Sequence, residues 1–230
     1  MTNELGFMSV TVIIPTLNEI VGIKKIVPKL KKEWADEWLF VDGGSKDGTI
    51  EEIRQFGFRV ILQKGIGLTD AYNEGIKQTT SDYVLFFSPD GNNQPDDIPK
   101  LIKKIEEGYD LVQISRFGKN SHSEDAGIID RFGNKMFTFL VNIFFGGKIT
   151  DSLNGFKIIK KNILYTLNLD AYIGSYEEQL CIRAIKKKLK IFEIDSIEPK
   201  RIGDKRKMRP IYTGYNLSRQ IIKEFFFWKF

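Results

Sequence analysis

Residues 10–19 read VTVIIPTLNE, and the fold turns on how that run ends. Val10 to Pro15 is short, apolar and β-branched, the pattern of a buried strand. Thr-Leu-Asn-Glu follows it. A dinucleotide fold would place G-x-G-x-x-G at this turn, and a P-loop enzyme would carry G-x-x-x-x-G-K-[ST]. Neither pattern occurs in the chain. A nucleotide site here would have to use carboxylates and a metal in place of a glycine-rich phosphate loop.

The same rhythm continues outward. Leu17 to Lys32 has helical spacing, with Asn18 as a candidate cap. Trp38 to Asp42 is a second strand, closed by the turn GGSKDG. Thr49 and Glu52 form a capping-box pattern that opens a helix ending at Gly57. Arg59 to Gln63 is a strand, Gly67 to Thr79 a helix, and Tyr83 to Phe87 a strand. Ile98 to Glu107 is a helix stopped by Gly108, and Asp110 to Ser115 is a fifth strand. Strands alternating with helices predict an α/β fold, a mostly parallel central sheet with helices on both faces. Ligands of such sheets bind beyond the carboxyl ends of the strands. Glu19, Asp42, Lys64 and Asp90 are therefore candidates to share one cleft.

The second half is less regular. Ile128 to Phe145 is a helix with a very apolar end, and Tyr176 to Lys188 is another helix. A strand KIFEI, a basic loop and a terminal helix ending KEFFFWKF complete the chain. The reading is one domain over residues 1–210 and an amphipathic extension over residues 211–230.

Composition narrows the class. A chain of 230 residues with 42% hydrophobic and 28% charged residues is ordinary for a globular protein. The lone Cys181 excludes an internal disulfide and fits a reducing compartment. The lone His122, in NSHSED, has no His or Cys beside it to make a zinc site. Residues 1–6 lack a secretory pattern, and no run reaches the roughly 18 apolar residues that span a bilayer. From Arg183 to Arg209 there are 11 Lys or Arg against 4 Asp or Glu, so the basic charge is concentrated in one region. Such a region suits a phosphate-rich or anionic surface.

Residues 86–97, FFSPDGNNQPDD, end a strand in one carboxylate and several amides. A plain turn uses similar residues. So does a site that holds a hard cation with oxygen ligands.

VTVIIPTLNE, then FVDGGSKDGT, KGIGLTDAYNEGI and SPDGN, resemble in order and spacing an inverting family 2 glycosyltransferase of the nucleotide-sugar GT-A fold. Further on, ISRF, DRFGNKMF, DSLNGFK and YEEQL resemble the dolichyl- or polyprenyl-phosphate hexose synthases. The likeness runs from about Val10 to Arg209. It implies a nucleotide-sugar half, residues 1–115, and an acceptor half, residues 116–210. Three departures stand out: Asp90-Gly91-Asn92 for the usual Asp-x-Asp, Asn154 for Ser, and Lys157 for Arg.

The resemblance implies roles. Pro15, Glu19, Asp42, Lys64, Asp70, Asp90, Arg201 and Lys205 would meet the donor nucleotide. Asp90, Asn92 and Gln94, at alternating positions, would hold Mg²⁺ or Mn²⁺ through oxygen. Arg116, Arg131, Asn134 and Lys157 would take the acceptor phosphate, since a guanidinium fork matches phosphate bidentately. Asp90, Arg116, Arg131 and Glu177 would form the catalytic group. Glu177 stays open between a general base and, with Gln179, an orienting role.

The function implied is hexose transfer from a GDP- or UDP-sugar to a polyprenyl or dolichyl phosphate at the cytoplasmic membrane face. A saccharide hydroxyl is the alternative acceptor. A non-catalytic basic module that binds membrane is the competing class. Nucleic acid is not an expected partner, because IEPKRIGDKRKMRP lacks the interleaved aromatics of RNA binders. The apolar helix and FFFWKF call for either a peripheral membrane contact or a protein contact, with a homodimer or a membrane protein as the candidates.

Overall fold

The computed structural model describes residues 8–172, 174–203 and 209–228. Lys205, expected at the donor nucleotide, lies outside these residues.

β1 (Val10–Thr16), α1 (Ile20–Ile26), β2 (Glu37–Asp42), α2 (Thr49–Gln55) and β3 (Arg59–Leu62) open the chain. α3 (Leu68–Gln78), β4 (Tyr83–Phe86), α4 (Ile98–Ile105) and β5 (Leu111–Ser115) follow. The second half runs β6 (His122–Ser123), α5 (Ile128–Phe145), β7 (Lys157–Lys160), α6 (Lys161–Leu167), α7 (Tyr176–Lys186), β8 (Ile191–Asp195), β9 (Ile197–Glu198) and α8 (Pro210–Phe226). The main sheet has the order β3-β2-β1-β4-β7-β5-β8. Every pairing in it is parallel except those of β7, which runs antiparallel to both β4 and β5.

Alternation along β1 explains the two layers. Val10, Val12 and Ile14 join Ile23, Ile53 and Leu101 on one face. Ile13 joins Ala71, Ile76, Leu164 and Leu180 on the other. Side chains of a strand point alternately to opposite faces, so one short run anchors helices on both. Each fully buried aliphatic side chain contributes about 1.5–3 kcal/mol. A third apolar cluster, with Phe137, Val141, Ile182, Leu217 and Ile221, seats α5 and α8 against α7.

Three local expectations change. The helix foreseen over 17–32 is α1 alone, followed by 3-10 turns at Val27–Lys29 and Lys32–Trp34. Pro28 cannot donate an amide hydrogen bond, so the α-helix does not continue. Asn18 is not its cap: it takes positive φ and its Oδ1 accepts the Lys46 N–H at 2.8 Å, tying the first loop to the second. The capping box at Thr49 does not form either. Gly48 occupies the cap position, and Asp47 Oδ1 accepts both the Thr49 N–H and hydroxyl.

Candidate active site

β1, β2 and β4 deliver their following loops to one end of the sheet. Gly22 shows how closely these loops are packed. A Cβ there would lie 2.4 Å from the Pro89 carbonyl oxygen, so only glycine lets α1 press on the Asp90 loop.

Asp42 is fully buried. Its Oδ1 accepts the Gly44 and Ser45 N–H groups at 2.8 and 2.7 Å. Its Oδ2 accepts the Thr16 and Ser45 hydroxyls at 2.8 and 2.7 Å. The carboxylate, which the resemblance places at the donor nucleotide, holds the turn at 43–45. Asp70 likewise accepts the Gly65 N–H at 2.7 Å and fixes the start of α3. Lys64 is largely exposed and stands 3.9 Å from Glu74. Pro15 and Glu19 are half-buried at the rim of the same sheet end.

Asp90 is buried, with Oδ1 accepting the Asn92 N–H at 3.1 Å and Oδ2 paired to Arg201 Nη2 at 2.8 Å. Asn92 donates its amide to Asp125 Oδ2 at 3.1 Å, and its own Oδ1 is buried with no hydrogen-bond partner among the described residues. Gln94 donates its amide to the Ile197 carbonyl at 2.6 Å. The Asp90 carboxylate and the orphaned Asn92 amide oxygen are hard oxygen donors of the kind that suits Mg²⁺ or Mn²⁺, although no cluster of three or more His, Cys, Asp or Glu that could hold a metal is found among the described residues. Gln94 is turned toward β9 instead, so the expected convergence of three side chains is not present in this conformation.

The acceptor side is built differently. A cavity of about 320 Å³ lies between α5, α7 and α8. Ile129, Phe137, Leu153 and Leu217 supply apolar wall, while Arg116, Asn134 and Glu177 supply polar groups. Arg116 donates from Nε and Nη2 to the two oxygens of Asp151 at 2.6 and 2.9 Å. It also donates to Asn134 Oδ1 at 3.1 Å and to Glu198 Oε1 at 3.4 Å. Burial by itself would lower the pKa of Arg116; Asp151 and then Glu198 overcome that and hold it above its ordinary value. Burial pushes the Glu177 carboxyl up, against the opposing pull of Lys157 and Arg116. Glu177 Oε1 and the Tyr72 hydroxyl each lie 3.4 Å from the point where Gly155 would carry a Cβ, so the backbone passes close between them.

Two expected phosphate ligands are placed elsewhere. Arg131 donates Nε to the Ala126 carbonyl at 2.9 Å and Nη2 to the Ser123 carbonyl, which holds the loop before α5 rather than the cavity. Lys157 is buried beneath the site and donates to Cys181 Sγ at 3.4 Å. It does not line the cavity, though its charge acts on Glu177, which does. The Cys181 thiol is pushed up to about 11 by burial, so it remains protonated and inert.

Sequence reasoning gave no role to Asp125, Asp151, Glu198 or Tyr72. Asp151 and Tyr72 lie inside segments already quoted for their pattern. Asp125 and Glu198 carry no local signal, because what they bind is distant in sequence.

Comparison with known proteins fits this geometry. The crystal structure of glucosyl-3-phosphoglycerate synthase from Mycobacterium tuberculosis with Mg²⁺ and uridine diphosphate superposes with a TM-score of 0.76. It is 19% identical, over 95% of this chain and 80% of that one, and so establishes the GT-A fold. The Glycosyl transferase family 2 model matches residues 11–167. The chain belongs to that family and is a glycosyltransferase. Among its relatives, a dolichyl-phosphate hexose transferase of Haloferax volcanii is 26% identical, over 96% of this chain and 95% of its own. A UDP-N-acetylglucosamine–dolichyl-phosphate N-acetylglucosaminyltransferase of Methanococcus voltae is 27% identical, over 90% and 87%.

Proposed function

We propose that this enzyme transfers a hexose from a nucleotide-diphosphate sugar to a polyprenyl or dolichyl phosphate at a membrane surface. The observation that carries the reading is the cavity with apolar walls and the Arg116 guanidinium set among them. A chain of isoprene units matches the walls, and the Arg116 cation suits a phosphate, which would either use Nη1 or displace Asp151 from the Nε–Nη2 fork. The names of the two archaeal relatives support the same acceptor class.

A lipid monophosphate has a second pKa near ~6, so it is mostly dianionic at pH 7 and needs no general base. The protein's task is orientation. Arg116, held in plane by Asp151 and Asn134, aims the phosphate at the anomeric carbon from the side opposite the leaving diphosphate, which inverts the configuration. Asp90 and Asn92, joined by Gln94 if its side chain turns, would hold Mg²⁺ or Mn²⁺. The ion would supply positive charge against the departing diphosphate. Arg201, paired to Asp90, adds a positive charge on the same side.

The exposed helices support a peripheral membrane contact. Among the described residues no helix is long and apolar enough to cross a membrane. Yet Ile129, Phe132 and Phe139 of α5 are 78%, 70% and 60% exposed, and Phe226 of α8 is 62% exposed. Phe144 and Phe225 join the two helices, ring to ring at 5.6 Å. Such a surface fits a helix pair lying in the headgroup region.

The test is incubation of purified protein with polyprenyl phosphate in vesicles and labelled UDP- and GDP-sugars. A mild-acid-labile lipid product is expected; product that stays in water overturns the lipid acceptor. A hydroxyl acceptor remains the second reading because Glu177, its carboxyl raised by burial, lines the same cavity. There it would serve as the general base.

A further inference from the structure

The strap of residues 199–203, after β9, crosses the Asp90 loop. Ile202 N–H donates to the Asp90 carbonyl at 2.7 Å, and Arg201 N–H donates to Asp125 Oδ1 at 3.1 Å. Asp125 also accepts the Asn92 amide, so one carboxylate fastens both the strap and the loop. Gly91, at φ +90, completes the fit: a Cβ there would stand 2.6 Å from Ile202 Cγ1. At the centre, Arg201 Nη2 lies 2.8 Å from Asp90 Oδ2. Arg201 Nε is buried and finds no acceptor among the described residues.

A divalent ion bound to Asp90 would share that carboxylate with Arg201. A divalent ion at Asp90 would sit within a few ångströms of the guanidinium. Like charges that close repel, and a double charge doubles the repulsion. Asn92 adds no negative charge, and the Asp125 carboxylate is already engaged by the Asn92 amide and the Arg201 N–H. Asp90 and Asp125 would set two negative charges against the three positive charges of a divalent ion and Arg201, and the diphosphate of a nucleotide would balance the excess. Arg201 Nε, without an acceptor among the described residues, is a donor that a second phosphate oxygen could take.

We infer that Arg201 is a resident counter-cation of Asp90, displaced when diphosphate arrives, so that metal and nucleotide bind cooperatively. The inference rests on the reading of Asp90 as a metal ligand. Arg201 acts here as a positioning residue whose charge sets the order of assembly. Because coupling is reciprocal, metal tightens the nucleotide by the factor with which nucleotide tightens metal.

The experiment is Mn²⁺ titration of the full chain, followed by electron paramagnetic resonance of free Mn²⁺, without nucleotide and with UDP or GDP. Wild-type protein is expected to bind Mn²⁺ weakly alone and roughly 5- to 150-fold more tightly with one of the two diphosphates. Arg201→Gln should tighten Mn²⁺ alone at least several-fold and shrink the enhancement by diphosphate. Arg201→Lys, which keeps a charge on Asp90, should restore the wild-type pattern. An Arg201 that merely fastens the strap would not tighten metal when removed. Mn²⁺ binding that needs Asp90 yet ignores Arg201→Gln overturns the coupling alone, as does an absence of enhancement by both diphosphates. Binding that is indifferent to Asp90→Asn overturns the metal reading, and the coupling with it.

Discussion

On the donor side, the Asp42 carboxylate accepts four hydrogen bonds, two from backbone N–H groups and two from hydroxyls. On the acceptor side, Glu178 is fully buried with neither carboxyl oxygen partnered among the described residues. The first is made by loops that follow parallel strands and lie within reach of one another. The second is made where α7 and α8 press together, where shape governs and polar groups are accommodated late. A charged diphosphate needs fixed dipoles and cations, which short loops supply. A long apolar acceptor needs wall area, which only helices packed from distant parts of the chain supply.

Breaking the donor side should have the largest effect. Asp90→Ala is expected to lower kcat/KM by about 10³-fold, the upper range for losing one electrostatic stabiliser, and chelation of divalent metal should do likewise. Retained turnover under both treatments would place the leaving-group chemistry elsewhere.

Arg116→Lys probes the acceptor side. The ammonium keeps the charge and loses the fork, so lipid-phosphate turnover should fall about 10²-fold while nucleotide binding holds. Arg116→Ala should also cost about 3–5 kcal/mol in urea unfolding, because Asp151 and Glu198 are left without their cation.

Phe132→Ser with Phe139→Ser should reduce co-sedimentation with anionic vesicles at least tenfold, since each exposed ring offers about 1.5–3 kcal/mol of apolar burial. Donor binding in calorimetry should not change. Equal loss in both assays would mean that the two sides are not separable.

Glu177→Gln sharpens the choice of acceptor. With a lipid phosphate the loss should stay below about tenfold, and the acid limb of the pH profile should follow the phosphate near ~6 in both proteins. With a hydroxyl acceptor turnover should vanish. In that case the wild-type rate should rise with pH through a carboxyl that burial has lifted above its usual range.

The smallest effect concerns Glu178, whose carboxyl burial and then Glu224 push well above the usual range. A raised folded pKa favours the fold at low pH, and that contribution erodes as pH climbs past the unfolded value. Glu178→Met removes the liability. Its melting temperature should exceed wild type by roughly 2–4 °C at pH 8, as about 1 kcal/mol gives in a chain of this size, and by less at pH 5.

Much of the donor half was legible because its parts are local. The run from Val10 to Pro15, the turn at 43–48 and the loop after β4 announce strands and their ends through hydrophobic period and glycine. Helix caps were misread at Asn18 and Thr49 because neighbouring loops compete for the same polar atoms. β7 was not foreseen as a strand: Lys-Ile-Ile-Lys is four residues long and acquires its identity only between β4 and β5.

The sequence by itself determined the α/β alternation, the sheet end at which Asp42 and Asp90 emerge, and the apolar character of α5. Those follow from side-chain periodicity, which acts over a few residues. Only the tertiary structure decided which charge meets which: Arg116 with Asp151, Arg131 with backbone carbonyls, Lys157 with Cys181, Arg201 with Asp90. A guanidinium on a long flexible stem donates to any nearby oxygen, and which oxygen is near depends on how segments remote in the chain are packed.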